Sequence, residues 1–252
     1  MTPARKARIA AGTACLIAAA LAMGWFVGRY VPGEPLEPSA DPSEVLLAGS
    51  GRAAKNVVDF NPGDEARIPS LVQGLAYEAS EELLANLSRR QKEDLDRLGF
   101  WKIEHAGLSL AVSESRIISA QSFANWNTAY ASPEKVLSDG SIILVAVSMT
   151  NASDASFEAG AGSLPTFTLW SDLLVGVDDA MGAGIALDLE AYALLNPGEA
   201  VLAPGETRQI VLPFRIVGNA LANPSELEGL RVESFALQTS DYAAATTYRL
   251  WL

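Results

Sequence analysis

From Phe100 onward the apolar residues fall at every second position, and this constrains the chain more than any other feature, because only an extended strand puts alternate side chains on one face. Leu108, Leu110 and Val112 alternate with Ser109 and Ala111. Ile142 to Met149 (IILVAVSM) is apolar on both faces, as a central strand must be. Thr166 to Trp170 (TFTLW) is a further β-rich run. Gln209 to Ile216 puts Ile210, Leu212, Phe214 and Ile216 on one face and Pro213 on the other. Proline has no N–H to give a ladder, so this strand belongs at an edge or carries a bulge. Leu230 and Val232 are in phase, whereas Phe235 and Leu237 are shifted by one, which predicts a bulge near Ser234. Tyr248, Leu250 and Leu252 mark a last strand.

Turn chemistry separates these runs. Asp139-Gly140 precedes the central strand and Asn151 follows it. Asn196-Pro197-Gly198-Glu199 and Ala203-Pro204-Gly205-Glu206 repeat one turn signal: proline presets the second position and glycine accepts the positive φ of the third. Strands in succession, with no second helix of quality between them, predict an all-β, antiparallel sandwich and not a parallel α/β sheet.

The N-terminal part reads differently. Ile9 to Gly28 (IAAGTACLIAAALAMGWFVG) carries no charge and follows Arg5, Lys6 and Arg8. A helix of about 20 residues spans about 30 Å, the thickness of a bilayer core. Cations stay on the cytoplasmic side, and Trp25, Phe26 and Tyr30 suit the outer interface. The expectation is an uncleaved signal anchor. Ala20-Leu21-Ala22 offers a cleavage site and hence a secreted form as the alternative. A lipoprotein anchored at Cys15 fits less well, because the apolar run continues past the cysteine. Pro32, Pro35, Pro38 and Pro42 then space a linker. Asn56 to Phe60 reads as a short strand and Asn61-Pro62-Gly63-Asp64 as a turn. Ser80 is the expected N-cap of one amphipathic helix, with Leu84, Leu87, Gln91, Leu95 and Leu98 on one face, Arg89/Glu93 and Glu93/Arg97 at ion-pair spacing, and Gly99 as its stop. It would cover a sheet edge, or alternatively meet a partner helix. The organisation expected is a basic tail over 1–8, a transmembrane anchor over 9–28, a linker over 29–51, a strand and amphipathic helix packing on the sandwich over 52–99, and the sandwich over 100–252.

Composition narrows the function classes. The first thirty residues hold four cations and no acid, so the part beyond them is even more acidic than the net charge of −12 implies. Such a surface repels phosphate backbones, which argues against nucleic-acid binding. Cys15 is the only cysteine, so the remainder has no disulfide, thiol nucleophile or cysteine-based zinc site.

The run Ile142-Ile143-Leu144-Val145-Ala146-Val147-Ser148-Met149-Thr150-Asn151, its polar turn Ala152-Ser153-Asp154, and the later Leu202-Ala203-Pro204-Gly205-Glu206-Thr207 before Ile210-Val211-Leu212-Pro213-Phe214 resemble the immunoglobulin-like domains of Gram-positive bacterial surface proteins and lipoproteins. The resemblance covers about residues 101–252. It implies an immunoglobulin-like sandwich acting as an adhesion, binding or scaffold module, with no catalytic residues to carry over. The absence of a lipobox departs from such domains.

Candidate chemistry is sparse. His105 is the only histidine, too few for a histidine zinc site, and no G-x-S-x-G elbow accompanies it. A solvated or edge-strand role is expected of it. Asp172, Asp178, Asp179, Asp188 and Glu190 gather in one stretch, which suits a solvated acidic loop, a calcium site or, less readily, a pair of glycosidase carboxylates. Asn86 and Asn151 head glycosylation sequons, which carry little weight in a chain of the bacterial kind that the resemblance implies. The reading that follows is a membrane-anchored, extracytoplasmic, non-enzymatic module without cofactor that binds a protein or cell-wall partner. The alternatives are a carboxylate-dependent envelope glycan enzyme and a calcium- or ligand-sensing ectodomain. Mass spectrometry of the membrane fraction is expected to find residues 1–28 still attached; a mature N-terminus at Met23 would replace the tether with a secreted form.

Overall fold

The computed structural model of the chain describes residues 47–48, 53–74, 85–97, 103–130, 140–158, 164–175, 177, 181–197 and 201–252. The expected anchor at 9–28, the cap Ser80, the stop Gly99 and Asp178 and Asp179 lie outside the described residues. Among the described residues no helix is long and apolar enough to cross a membrane.

Two sheets enclose one core. The first contains β3 (Glu65–Gln73), β4 (Ile103–Ser119), β5 (Gly140–Asn151) and β10 (Thr207–Val217), all antiparallel, in the order β10-β5-β4-β3. The second contains β1 (Leu47–Ala48), β2 (Asn56–Phe60), β7 (Thr168–Trp170), β8 (Gly184–Ala186), β11 (Ala236–Asp241) and β12 (Thr246–Trp251), in the order β1-β8-β7-β11-β12-β2. A separate ribbon joins β6 (Phe157–Glu158) to β9 (Val201–Leu202). The fold is a β-sandwich, antiparallel except that β2 runs parallel to β12. That pair corrects the fully antiparallel expectation: β2 precedes the sandwich in sequence and reaches the far edge of the second sheet, so no hairpin constrains its direction.

The expected alternation builds the core. Val145, Val147 and Met149 of β5 and Ile210, Leu212 and Phe214 of β10 face Leu169, Leu237 and Leu250 across the two sheets. Burying each such side chain contributes about 1.5–3 kcal/mol. β5 is apolar on its other face for a second reason. Ile142 and Leu144 meet Phe123, Tyr130 and Ala191, which come from α2 (Ala120–Trp126), the turn after it and α3 (Leu189–Leu195). These two short helices depart from the expectation of a single helix. Each announces itself only by its cap: Ser119 accepts from Ser122 N–H, and Asp188 accepts from Ala191 N–H.

The expected helix from Ser80 is also corrected. It is interrupted at Leu87–Ser88, and α1 spans Arg89–Arg97. Ser88 Oγ accepts from Gln91 N–H at 3.3 Å while Gln91 Oε1 accepts from Ser88 N–H at 2.9 Å, a reciprocal capping box that restarts the helix. The Arg89–Glu93 pair forms at 2.8 Å on the exposed face. The region around Ser234 is corrected too. Pro224–Gly229 and Val232–Ser234 are 3-10 turns, and β11 starts at Ala236. The phase change at Ser234 marks a break between elements and not a bulge. The bulge lies instead between Val112 and Glu114 in β4, where Ser113 Oγ donates to Ala146 O at 3.1 Å.

Pro213 sits on an edge strand, as its missing N–H requires, and that edge is closed by side chains and loop backbone. Asn196 Oδ1 accepts from Val211 N–H at 2.9 Å and its Nδ2 donates to Val211 O at 2.8 Å, copying the pairing a neighbouring strand would make. Asp188 N–H donates to Pro213 O at 2.9 Å.

Two buried amides join the parts. Gln73 at the end of β3 accepts from Thr166 N–H at 2.7 Å and donates to Ser240 O at 3.0 Å, linking the first sheet to the second. Asn151 at the end of β5 donates to Ala155 O at 2.8 Å and Leu202 O at 3.0 Å and accepts from Ser153 N–H at 3.0 Å and Ser153 Oγ at 2.7 Å. Its backbone also binds the Ala203–Glu206 turn, accepting from Gly205 N–H at 2.7 Å and donating to Glu206 O at 3.0 Å. Gly205 takes the expected positive φ of 76° in that turn. Replacing Asn151 with Ala strips four side-chain bonds from a fully buried site and is expected to cost about 3–5 kcal/mol in urea unfolding, at about 1 kcal/mol per bond with carbonyls left unpaired. Thr150→Val, beside it but exposed at its Oγ1–Thr207 bond, should cost less than about 1 kcal/mol.

Candidate functional site

His105 is not solvated. It lies on β4 opposite Leu71 of β3 and is only 6% exposed. Among the described residues neither ring nitrogen has a hydrogen-bond partner. Its ring meets Phe157 of β6 edge-on, with centroids 5.4 Å apart. Burial lowers its pKa to about 4, so the ring is neutral and works as an aromatic filler at neutral pH. The sequence hides this because His105 belongs to β4 but precedes Leu108, where pairing with β5 begins.

The acidic stretch is not assembled into a metal centre among the described residues. Asp188 is engaged structurally. It caps α3 at Ala191 N–H, 3.0 Å, and its Oδ2 accepts from the Tyr130 hydroxyl at 2.6 Å. Burial and this carboxylate push the Tyr130 phenol well above its ordinary range, with Glu190 adding to the push and Arg215 opposing it. Tyr130, Asp188, Glu190 and Arg215 therefore meet where α3 sits on β5 and β10, a grouping unreadable from the distant positions of Tyr130 and Arg215 in the chain. Asp172 stands elsewhere, touched by Ser171 Oγ at 3.5 Å. Glycosylation at Asn151 is incompatible with the fold, because its carboxamide is buried and fully engaged. Glu206 is held below the usual carboxylate range by the Ala203 N–H and then Arg208.

The helix-covered face of the first sheet carries the more distinctive surface. Trp126, at the end of α2, is 63% exposed, and Leu189, opening α3, is 46% exposed. Arg116 of β4 places its guanidinium 5.7 Å from the Trp126 ring centroid. Tryptophan and arginine supply a large share of binding energy where proteins meet, since each brings area and directional contacts at once. The scaffold beneath is rigid: Phe123 and Tyr130 lock edge-on at 4.8 Å under α2.

A second aromatic cluster decorates the six-stranded sheet. Arg249 stacks 3.8 Å over Trp170 and donates from Nε to Gln238 Oε1 at 2.9 Å, while Trp251 meets Trp170 edge-on and donates to Asp59 at 3.1 Å. Arg249 and Gln238 are buried, so this ladder braces β7, β11, β12 and β2 against one another.

The Tyr130–Asp188 bond makes a direct prediction. Tyr130→Phe should cost about 1–2 kcal/mol in urea unfolding, and Asp188→Ala about 2–4 kcal/mol through loss of both cap and acceptor. The double variant should fall short of their sum, because the two residues share one bond.

No family model matches the chain, and no curated protein or solved structure is significantly similar to it.

Proposed function

We propose that the chain is an immunoglobulin-like module, held at the outer face of a cell membrane by the apolar segment over 9–28, that binds a protein or cell-envelope partner and performs no catalysis. The strand order supports the fold family. β4, β5 and β10 stand side by side as do the first, second and fifth strands of such domains, and β7, β11 and β12 as do the third, sixth and seventh. The parallel placement of β2 on β12 adds a strand at the edge of the second group. One departure is the edge of β10, where Asn196 and α3 stand in place of a further strand.

The observation that carries the binding role is Trp126, exposed beside Arg116 on a face whose underlying side chains are tightly held. Asp188, the best placed of the suspected carboxylates among the described residues, is committed to a helix cap and a tyrosine, which favours binding over glycan hydrolysis. The test is co-purification from detergent-solubilised membranes after cross-linking, comparing the unaltered chain with Trp126→Ala. Trp126→Ala should change folding stability by no more than about 0.5 kcal/mol, because the side chain is mostly in water, and should reduce partner recovery at least tenfold. Failure of the unaltered chain to recover a partner under several conditions would remove the reading, and equal recovery by the variant would move the contact to another face.

A further inference from the structure

The β6–β9 ribbon belongs to neither sheet. It is only two residue pairs long, Phe157 with Leu202 and Glu158 with Val201. Side chains hold it in place: Leu202 is fully buried, Asn151 grips Leu202 O, and Phe157 rests edge-on against His105. A phenylalanine at position 105 would supply similar contacts without two buried nitrogens lacking partners. What a histidine adds there is the capacity to gain a proton. The imidazolium has two N–H donors and needs an acceptor for each, and the described residues around the closed site supply none.

We propose that His105 is an acid-operated latch: neutral, it seats the β6–β9 ribbon against β4, and protonated, it releases the ribbon to solvent while the two sheets stay folded. The charged groups around it lie at the margins of the closed site. Glu104 precedes it on β4 and is exposed, Asp154 is exposed in the turn before β6, and Glu206 is paired with Arg208 beyond β9. Glu158 follows Phe157 on β6, β9 itself carries no charge, and β3 offers Ser70, Leu71 and Val72. Burial is what disfavours the proton.

The sign and size follow from linkage. The base has a lowered pKa in the closed form, so closure is fully favoured above about pH 6.5 and is lost as pH falls toward 4. With the imidazole titrating at about 4 when closed and 6.5 when open, the open-to-closed ratio rises about 20-fold between pH 7 and pH 5 and about 240-fold between pH 7 and full protonation.

Because His105 is the only histidine in the chain, one imidazole signal reports it without assignment. The experiment titrates histidine-labelled full-length protein in detergent by NMR, and follows amide exchange of peptides covering 153–158 and 201–206 by mass spectrometry, corrected for the intrinsic pH dependence. The expected result is an imidazole midpoint below pH 5, with exchange in both peptides rising about 20-fold between pH 7 and pH 5 while peptides from β5 stay protected. His105→Phe and, as a second apolar variant, His105→Leu should lose that acid response. A midpoint near 6.5, unchanged ribbon exchange in acid, simultaneous loss of β5 protection, or the same response in a folded variant would each overturn the latch.

Discussion

The carboxamide of Asn151 is where the chain ties its own distant segments together. β5 ends there, the turn to β6 folds back through Ala155 and Ser153, and the strand before β10 is held through Leu202. The same residue's backbone fixes Gly205 and Glu206, so the entry of β10 is set in register with the end of β5. Eleven paired positions follow from that alignment, from Thr207 opposite Thr150 to Val217 opposite Gly140. A single slip would turn Ile210, Leu212 and Phe214 out of the core. Buried polar groups are costly unless satisfied, and here each side-chain bond of Asn151 is made to a segment that must be placed correctly for the core to close.

β5 is the structural axis because it is covered on both faces. One side packs on the second sheet, and the other is covered by α2 and α3. This arrangement solves the edge problem of β10 at the same time. The C-terminal cap of α3 is Asn196, whose amide closes Val211, while the N-cap Asp188 lends its N–H to Pro213. One short helix therefore buries an apolar strand face and stops the sheet from adding a foreign strand.

Much of this architecture is legible in the sequence because alternation reports burial directly. The faces of β5 and β10, the edge position required by Pro213 and the Gly205 turn follow from local rules. What was not legible depends on partners remote in the chain. The phase change after Val112 leads to Ile117, whose pairing with Ile143 restores the inner face only through a bulge at Ser113. α2 and α3 are seven residues each, too short for a helical period to rise above the β pattern, leaving Ser119 and Asp188 as the only cues. His105 reads as a surface residue because Glu104 and Ala106 beside it are exposed, yet Leu71 and Phe157 enclose it from two other parts of the chain. The Tyr130–Asp188 pair is hidden for the same reason: periodicity locates a residue on its own strand or helix and says nothing of what that element meets.

The latch and the Trp126 face lie toward opposite ends of β5. Arg116 stands opposite Leu144, whereas the ribbon is gripped at Asn151. Seven residues of extended strand separate these points by about 23 Å. Influence of one on the other passes along β4 and β5, whose Leu110, Val145 and Val147 are fully buried in a close-packed core. A core of that kind does not deform by degrees; it holds its register or unfolds. Release of the ribbon should therefore change what is exposed at the Asn151 end without reshaping the Trp126 face. The Asn151 bonds to Ser153 and Ala155 close the turn within β5's own end, so they can survive when Leu202 departs. The fold thereby confines an acid response to a ribbon of two residue pairs, while α2, which carries Trp126, packs through Phe123 on Ile142 and Leu144, apolar contacts that do not titrate.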